Sequence, residues 1–235
     1  MVSGTPGRAD CPGERSTGAA TAAPRRGRAP RIAREGWPFV GVPLLLGLGA
    51  LAAGWTFVAV PLLVLAGFCA WFFRDPDRPV PRDPSVVVSP ADGRIVEVER
   101  LPDGRLRLAI FLSIFDVHVN RSPVAGRVRR VTHTPGRFLA AWRAETRDVN
   151  ERNEVVLETG RGPVHVLQVA GLIARRIVCR VAPGTPLGMG ERFGMIRFGS
   201  RTEVILPPGA VPEVRVGDTV RGGASVVARW EDPAP

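Results

Sequence analysis

A run of 37 residues, Trp37 to Phe73, contains no charged side chain. Nothing else in the chain restricts its architecture as strongly. As one straight helix the run would be about 55 Å long at 1.5 Å per residue. The hydrocarbon core of a bilayer is only about 30 Å thick. Two short helices fit better, and Gly54-Trp55 is the natural break, giving Pro38–Ala53 and Thr56–Phe73. Arg25, Arg26, Arg28, Arg31 and Arg34 precede the run, and Arg74, Arg78 and Arg82 follow it. Under the positive-inside rule both ends then lie on the cytoplasmic side, as a hairpin requires. Trp37, Trp55 and Trp71 stand where interfacial aromatics belong. A hairpin that crosses the bilayer and one that dips into a single leaflet both satisfy this pattern. Either way residues 36–74 attach the protein to the cell membrane, with the rest of the chain on the cytoplasmic side.

The segment before the hairpin, residues 1–35, is rich in Gly, Ala, Pro, Arg, Ser and Thr and nearly devoid of large apolar residues. Such a segment cannot bury enough surface to offset its ordering entropy, which predicts a disordered tail. It makes a poor signal peptide, because no clear cleavage site follows the apolar run.

From Ser85 the pattern changes to β. Val86–Val88, Arg94–Val98, Arg105–Leu112, Val128–Val131, Glu154–Glu158, Val164–Val169 and Arg176–Val181 are short, β-branched and separated by Gly, Pro, Asp or Asn. Asp103-Gly104 is a hairpin turn, and Val214–Trp230 reads as strand, tight turn, strand. Phe138–Arg147 is the one helical stretch expected here. The prediction is a mainly β protein, with one sandwich or barrel-like domain over residues 75–235 behind an N-terminal apolar helical hairpin.

The chain carries a net charge of +10, and it has no lysine at all. No side-chain amine is therefore present to form a Schiff base, hold pyridoxal phosphate, or carry biotin or lipoate. Cys11, Cys69 and Cys179 are far apart, and none lies near a histidine, so neither a zinc site nor a disulfide framework is expected. The aromatic residues do not interleave with the arginines of the β region, which argues against nucleic acid as the partner.

Four segments carry groups able to do chemistry. Gly199-Ser200 interrupts an apolar run, and a glycine at that point lets another group approach the backbone closely. It is either a β-bulge or a serine placed to attack the carbonyl before it. Asp92, in Ser89-Pro-Ala-Asp-Gly, is either a turn aspartate bonding its own backbone or a functional carboxylate. His118, just after an apolar strand, is either structural or a proton carrier, since its unperturbed pKa lies near 6.5. His133 and His165 read as structural. Asn150-Glu-Arg-Asn153 is a polar loop that either lines a pocket or caps a turn.

Taken in order, these pieces resemble the phosphatidylserine decarboxylase proenzymes, specifically the short pyruvoyl-dependent type. The resemblance runs from about Phe72 to Trp230. It is carried by Phe72-Phe-Arg-Asp-Pro-Asp-Arg, Ser89-Pro-Ala-Asp-Gly, Phe115-Asp-Val-His-Val-Asn-Arg-Ser-Pro, Asn150-Glu-Arg-Asn and Gly190-Glu-Arg-Phe-Gly-Met-Ile-Arg-Phe-Gly-Ser-Arg. It implies that Ser200 attacks the Gly199 carbonyl and that the chain splits between residues 199 and 200. The products are then a β chain ending at Gly199 and a 36-residue α chain, residues 200–235, which stay together as a heterodimer. The former Ser200 becomes a pyruvoyl group. That group forms a Schiff base with the serine amine of phosphatidylserine, and the products are phosphatidylethanolamine and CO2. This resolves the missing lysine.

The resemblance further assigns Asp92 to activation of the serine and His118 to proton transfer. Longer members of the family carry a second histidine three positions after the first. This chain has Arg121 there, which cannot act as a base. Arg74, Arg78 and Arg121 are candidates for the lipid phosphate, and a higher oligomer is compatible with the sequence. A different reading comes from the Asp-Gly strand opening and Val216-Gly-Asp-Thr-Val-Arg-Gly-Gly. These also resemble biotinyl/lipoyl-type β modules, so the alternative is a non-catalytic membrane-anchored adaptor.

Overall fold

The computed structural model describes residues 31–139, 149–171, 176–197 and 200–231. Gly199 and most of the expected helix Phe138–Arg147 lie outside the described residues.

The apolar run forms two helices, α1 (Trp37–Ala52) and α2 (Thr56–Phe72), each about 25 Å long. The chain reverses at Gly54, whose φ of +78° is left-handed and suits glycine. The break lies where the sequence places it. Along the hairpin large apolar side chains face outward, with Leu45, Val64 and Phe57 exposed by 71%, 66% and 98%. At the open end the hairpin is not loose. Phe72 and Phe73 are fully buried, in a cluster with Ala33, Val117, Val119 and Met195.

Residues 31–35, expected to end a disordered tail, are instead structured. Strand β1 (Arg31–Ile32) pairs antiparallel with β2 (Arg74–Asp75), and a 3-10 turn, Arg34–Gly36, leads into α1. The amide of Ala33 donates to the Phe73 carbonyl at 2.8 Å. The reason is local: Ile32 and Ala33 find the apolar root of the hairpin to pack against.

The rest is β. Strands β3 (Val86–Val88), β4 (Gly93–Arg100), β5 (Leu106–Leu112), β6 (Val119–Arg121), β7 (Gly126–Thr134), β8 (Arg152–Thr159), β9 (Gly162–Ala170) and β10 (Ile177–Cys179) follow in order. They are completed by β11 (Pro186–Leu187), β12 (Arg192–Ile196), β13 (Ser200–Leu206), β14 (Ala210–Pro212), β15 (Thr219–Val220) and β16 (Val226–Trp230). An eight-stranded sheet runs β11-β7-β8-β9-β13-β5-β4-β15 and curls into a half-barrel. Two three-stranded sheets, β10-β12-β6 and β14-β16-β3, flank it. The core between them is aliphatic, built on Ile95, Leu108, Ile110, Val166, Val204 and Leu206.

Strand β13 sits near the middle of the large sheet. It pairs with β5 from Ser200↔Leu112 to Leu206↔Leu106, and with β9 from Ser200↔Ala170 to Ile205↔His165. Because neighbours are antiparallel, the start of β13, the end of β5, the end of β9 and the start of β4 all reach one end of the sheet. The short strands β6 and β12 lack the alternation that marks a strand, because β6 is three residues buried on both faces and β12 is interrupted by Gly194.

Candidate active site

Ser200 opens β13 and is fully buried. Its Oγ has no hydrogen-bond partner among the described residues. A buried hydroxyl left unpaired costs about 1–3 kcal/mol, so this serine is a poor structural residue.

His118 approaches from the second layer. After β5 the chain turns at Ser113–Asp116, where the Ser113 amide and hydroxyl both donate to Asp116 Oδ2, at 2.8 and 2.7 Å. It then enters β6. The Ile196 amide donates to the His118 carbonyl at 3.2 Å. The His118 ring is fully buried and lies 4.4 Å, centroid to centroid, from the Phe72 ring. Its Nδ1 is 2.9 Å from the Asp116 carbonyl oxygen. A carbonyl only accepts, so Nδ1 carries the proton and Nε2 is the basic nitrogen. Burial lowers the pKa from 6.5 to about 4, with the Asp116 carbonyl opposing the shift. The ring is therefore neutral at physiological pH.

The two layers are stitched by a chain of buried amides. Asn153 Nδ2 donates to Gln168 Oε1 at 2.9 Å, Gln168 Nε2 to Asn120 Oδ1 at 2.9 Å, and Asn120 Nδ2 to Thr202 Oγ1 at 3.1 Å. Side chains two apart on a strand share a face. The Asn120–Thr202 bond thus joins the face that carries His118 to the face that carries Ser200. Asn150 closes the neighbouring strand end, donating to the carbonyls of Ala170 (2.7 Å) and Leu139 (2.8 Å). Ala170 is the register partner of Ser200. Asn150 and Asn153 therefore build the walls of the site.

Asp92 precedes β4, two strands from β13 and about 10 Å away by strand spacing. Its Oδ2 pairs with Arg78 Nη2 at 2.7 Å, and its Oδ1 accepts from the Gly222 amide at 2.7 Å. Burial raises its pKa above the usual carboxylate value, against the pull of Arg78. Gly93 is forced to be glycine, because at φ +143° a Cβ would lie 2.1 Å from the Phe111 carbonyl oxygen. The structure thus brings Asp92, His118 and Ser200 to one end of the domain, with the Asp92 carboxylate already committed to Arg78 and Gly222.

Arg121, three positions after His118, is a clamp. It is 4% exposed and donates to Asp75 Oδ1 (3.1 Å), the Pro76 carbonyl (2.8 Å) and the Gly190 carbonyl (3.2 Å). Arg192 grips the same Asp75 at 2.7 Å and Asp77 at 2.8 Å. The Phe72–Arg78 motif is thereby explained residue by residue: two aromatics plug the root of the hairpin, and two aspartates bind arginines of β6 and β12. Sequence reasoning missed the Phe72 roof over His118 and the role of Gln168. Gln168 left a signal, being a lone amide in Val164-His-Val-Leu-Gln-Val.

The sequence matches the phosphatidylserine decarboxylase family over residues 65–228. It is 54% identical over 212 residues to the phosphatidylserine decarboxylase proenzyme of Symbiobacterium thermophilum, covering 86% of this chain and 97% of that one. The proenzymes of Burkholderia lata and Burkholderia cenocepacia are 44% and 45% identical over 208 residues, with the same coverage.

Proposed function

The chain belongs to the phosphatidylserine decarboxylase family, and from that premise we propose that it decarboxylates phosphatidylserine to phosphatidylethanolamine and CO2 through a Schiff base with a pyruvoyl group made from its own Ser200. The observation that carries this is the buried Ser200 Oγ with no partner among the described residues, at the start of a central strand. No lysine exists to hold an aldehyde cofactor, and a carbonyl made from the chain's own serine is consistent with that lack. A pyruvoyl group supplies an electrophile for the substrate amine and a sink for the electrons left when CO2 departs.

The chain's own residues do the rest. Ser200 Oγ attacks the Gly199 carbonyl carbon, and the Gly199–Ser200 peptide bond gives way to an ester. Elimination then frees the Gly199 carboxylate and leaves residue 200 as an N-terminal dehydroalanine, which takes up water and releases ammonia to become the pyruvoyl group; the chains, residues 1–199 and 200–235, remain a heterodimer held by the β13 ladders. His118, neutral and with Nε2 basic, takes the proton from the serine or delivers one to the substrate carbon. Asp92, its carboxyl raised by burial, assists serine activation. Arg121 has no part in proton transfer, since its guanidinium is held by Asp75 and two carbonyls.

The hairpin's exposed apolar faces support membrane association, with the catalytic domain on the arginine-rich, cytoplasmic side. The similarity to decarboxylases favours an enzyme over an adaptor.

Intact mass of the purified chain, beside Ser200→Ala, tests the proposal. The expected result is two fragments divided at Gly199, the smaller lacking a terminal amine, and an uncut variant. A wild-type chain that stays whole in a lipid environment overturns it. His118→Gln is expected to slow cleavage or decarboxylation by 100-fold or so, and a fully processed, fully active variant removes His118 from the scheme.

A further inference from the structure

Arg197 is the last described residue before Ser200, and three extended residues span at most about 11 Å. It continues the backbone from Ile196, whose amide bonds the His118 carbonyl. Its guanidinium lies 5.1 Å from the centroid of the Phe39 ring, and Phe39 stacks on Phe73 at 5.4 Å. Arg197 thus stands at the root of the hairpin, between the membrane-facing helices and the reacting serine.

Its charge is poorly compensated. Arg197 Nε is buried and has no hydrogen-bond partner among the described residues. The Arg197 amide bonds the Arg176 carbonyl at 3.3 Å, which places a second arginine alongside. Burial and the charge of Arg176 lower the Arg197 pKa, and only Glu35 opposes them. Glu35 is itself gripped by Arg180 through Nε (3.0 Å) and Nη2. Three other arginines near this end of the domain are engaged: Arg78 by Asp92, Arg121 by Asp75, and Arg74 by the carbonyls of Trp71 and Phe115.

Resting on the decarboxylase reading above, we infer that Arg197, with Arg176 beside it, forms the subsite for the phosphodiester of the lipid headgroup. In a serine phospholipid the phosphorus is about 4 Å from the carbon that loses CO2, by bond lengths. An anion-binding group is therefore needed close to the former Ser200. A guanidinium suits a phosphodiester, because its fork donates to two oxygens at once. With the phosphate at Arg197, the amine points to residue 200 and the acyl chains run toward Phe39 and the apolar face of α1.

The test uses the full chain in mixed micelles of constant surface charge. Arg197→Gln is expected to cleave normally and keep its kcat, while KM for phosphatidylserine rises about 10–100-fold, as for loss of a charged hydrogen bond. Arg197→Lys should recover part of the loss, and Arg215→Gln, which removes a charge from an exposed loop, should change nothing. An unchanged KM overturns the inference. So does a KM rise matched by an equal loss of binding to phosphatidylglycerol vesicles, which would make Arg197 a general membrane contact. A wild-type chain without activity counts against the decarboxylase reading instead. The variants are then compared by binding of dihexanoyl phosphatidylserine to the intact chain, where equal affinity for wild type and Arg197→Gln overturns the subsite.

Discussion

At the scale of single residues, the site works by what is denied to each group. His118 is denied water, and its folded-state pKa falls from 6.5 to about 4. The sign of the consequence is fixed: above pH 6.5 both folded and unfolded forms are neutral, and nothing is lost. As pH falls from 6.5 to 4 the unfolded chain gains a proton that the folded chain refuses, so stability declines. The total is about 3 kcal/mol below pH 4. Between pH 7.5 and 4.5, denaturant unfolding should show the wild type losing about 2–3 kcal/mol more than His118→Gln. Equal losses would mean that the ring is not held neutral. Ser200, His118 and Asp92 could be singled out as candidates because each sits in a compact motif. Their partners could not. Phe72 and Gln168 come from segments 46 and 32 residues away from His118 and Ser200 respectively, and a local pattern does not show which distant group such a residue meets on folding.

At the scale of elements, β4 and β13 depend on conformations that a sequence states only obliquely. Gly93 at φ +143° faces the Phe111 carbonyl. Gly93→Ala should therefore cost about 2 kcal/mol or more, read as a lowered urea midpoint, and should slow self-cleavage by shifting Asp92 and the β4–β5 edge. Gly160→Ala, with open space around it, should be nearly neutral; comparable losses at both sites would remove the steric argument. The strands with clear alternation or β-branched runs, such as β5, β8 and β9, were legible. Strand β6 was not, because its three residues Val119–Arg121 are all buried. A strand enclosed on both faces shows no alternation.

At the scale of the whole molecule, the root of the hairpin is packed into the β domain. The Phe72 ring roofs His118, and Phe73 packs under Ala33 and Gly36. A chain starting at Arg74 should lose self-cleavage and activity by more than tenfold even on a dispersed short-chain substrate, whereas one starting at Arg31 should keep both. Full activity of the shorter chain would show that the helices are a detachable tether. The hairpin itself was legible from its missing charges. Its union with the β domain was not, because apolar residues at a helix end look alike whether lipid or protein covers them.

The central position of β13 has a further consequence for the life history of the molecule. A cut before Ser200 would turn a strand bonded along both edges into the first strand of a separate peptide. That peptide would be a keystone, and it could leave only if the arch came down. The instructions for folding would be spent in a single use. One chain assembles the sheet, but two chains would have to find each other again after unfolding, at a rate set by their concentration. Longevity of the mature protein would then be governed by how slowly the sheet opens, a kinetic property, and lost enzyme would be replaced by new synthesis instead of repair.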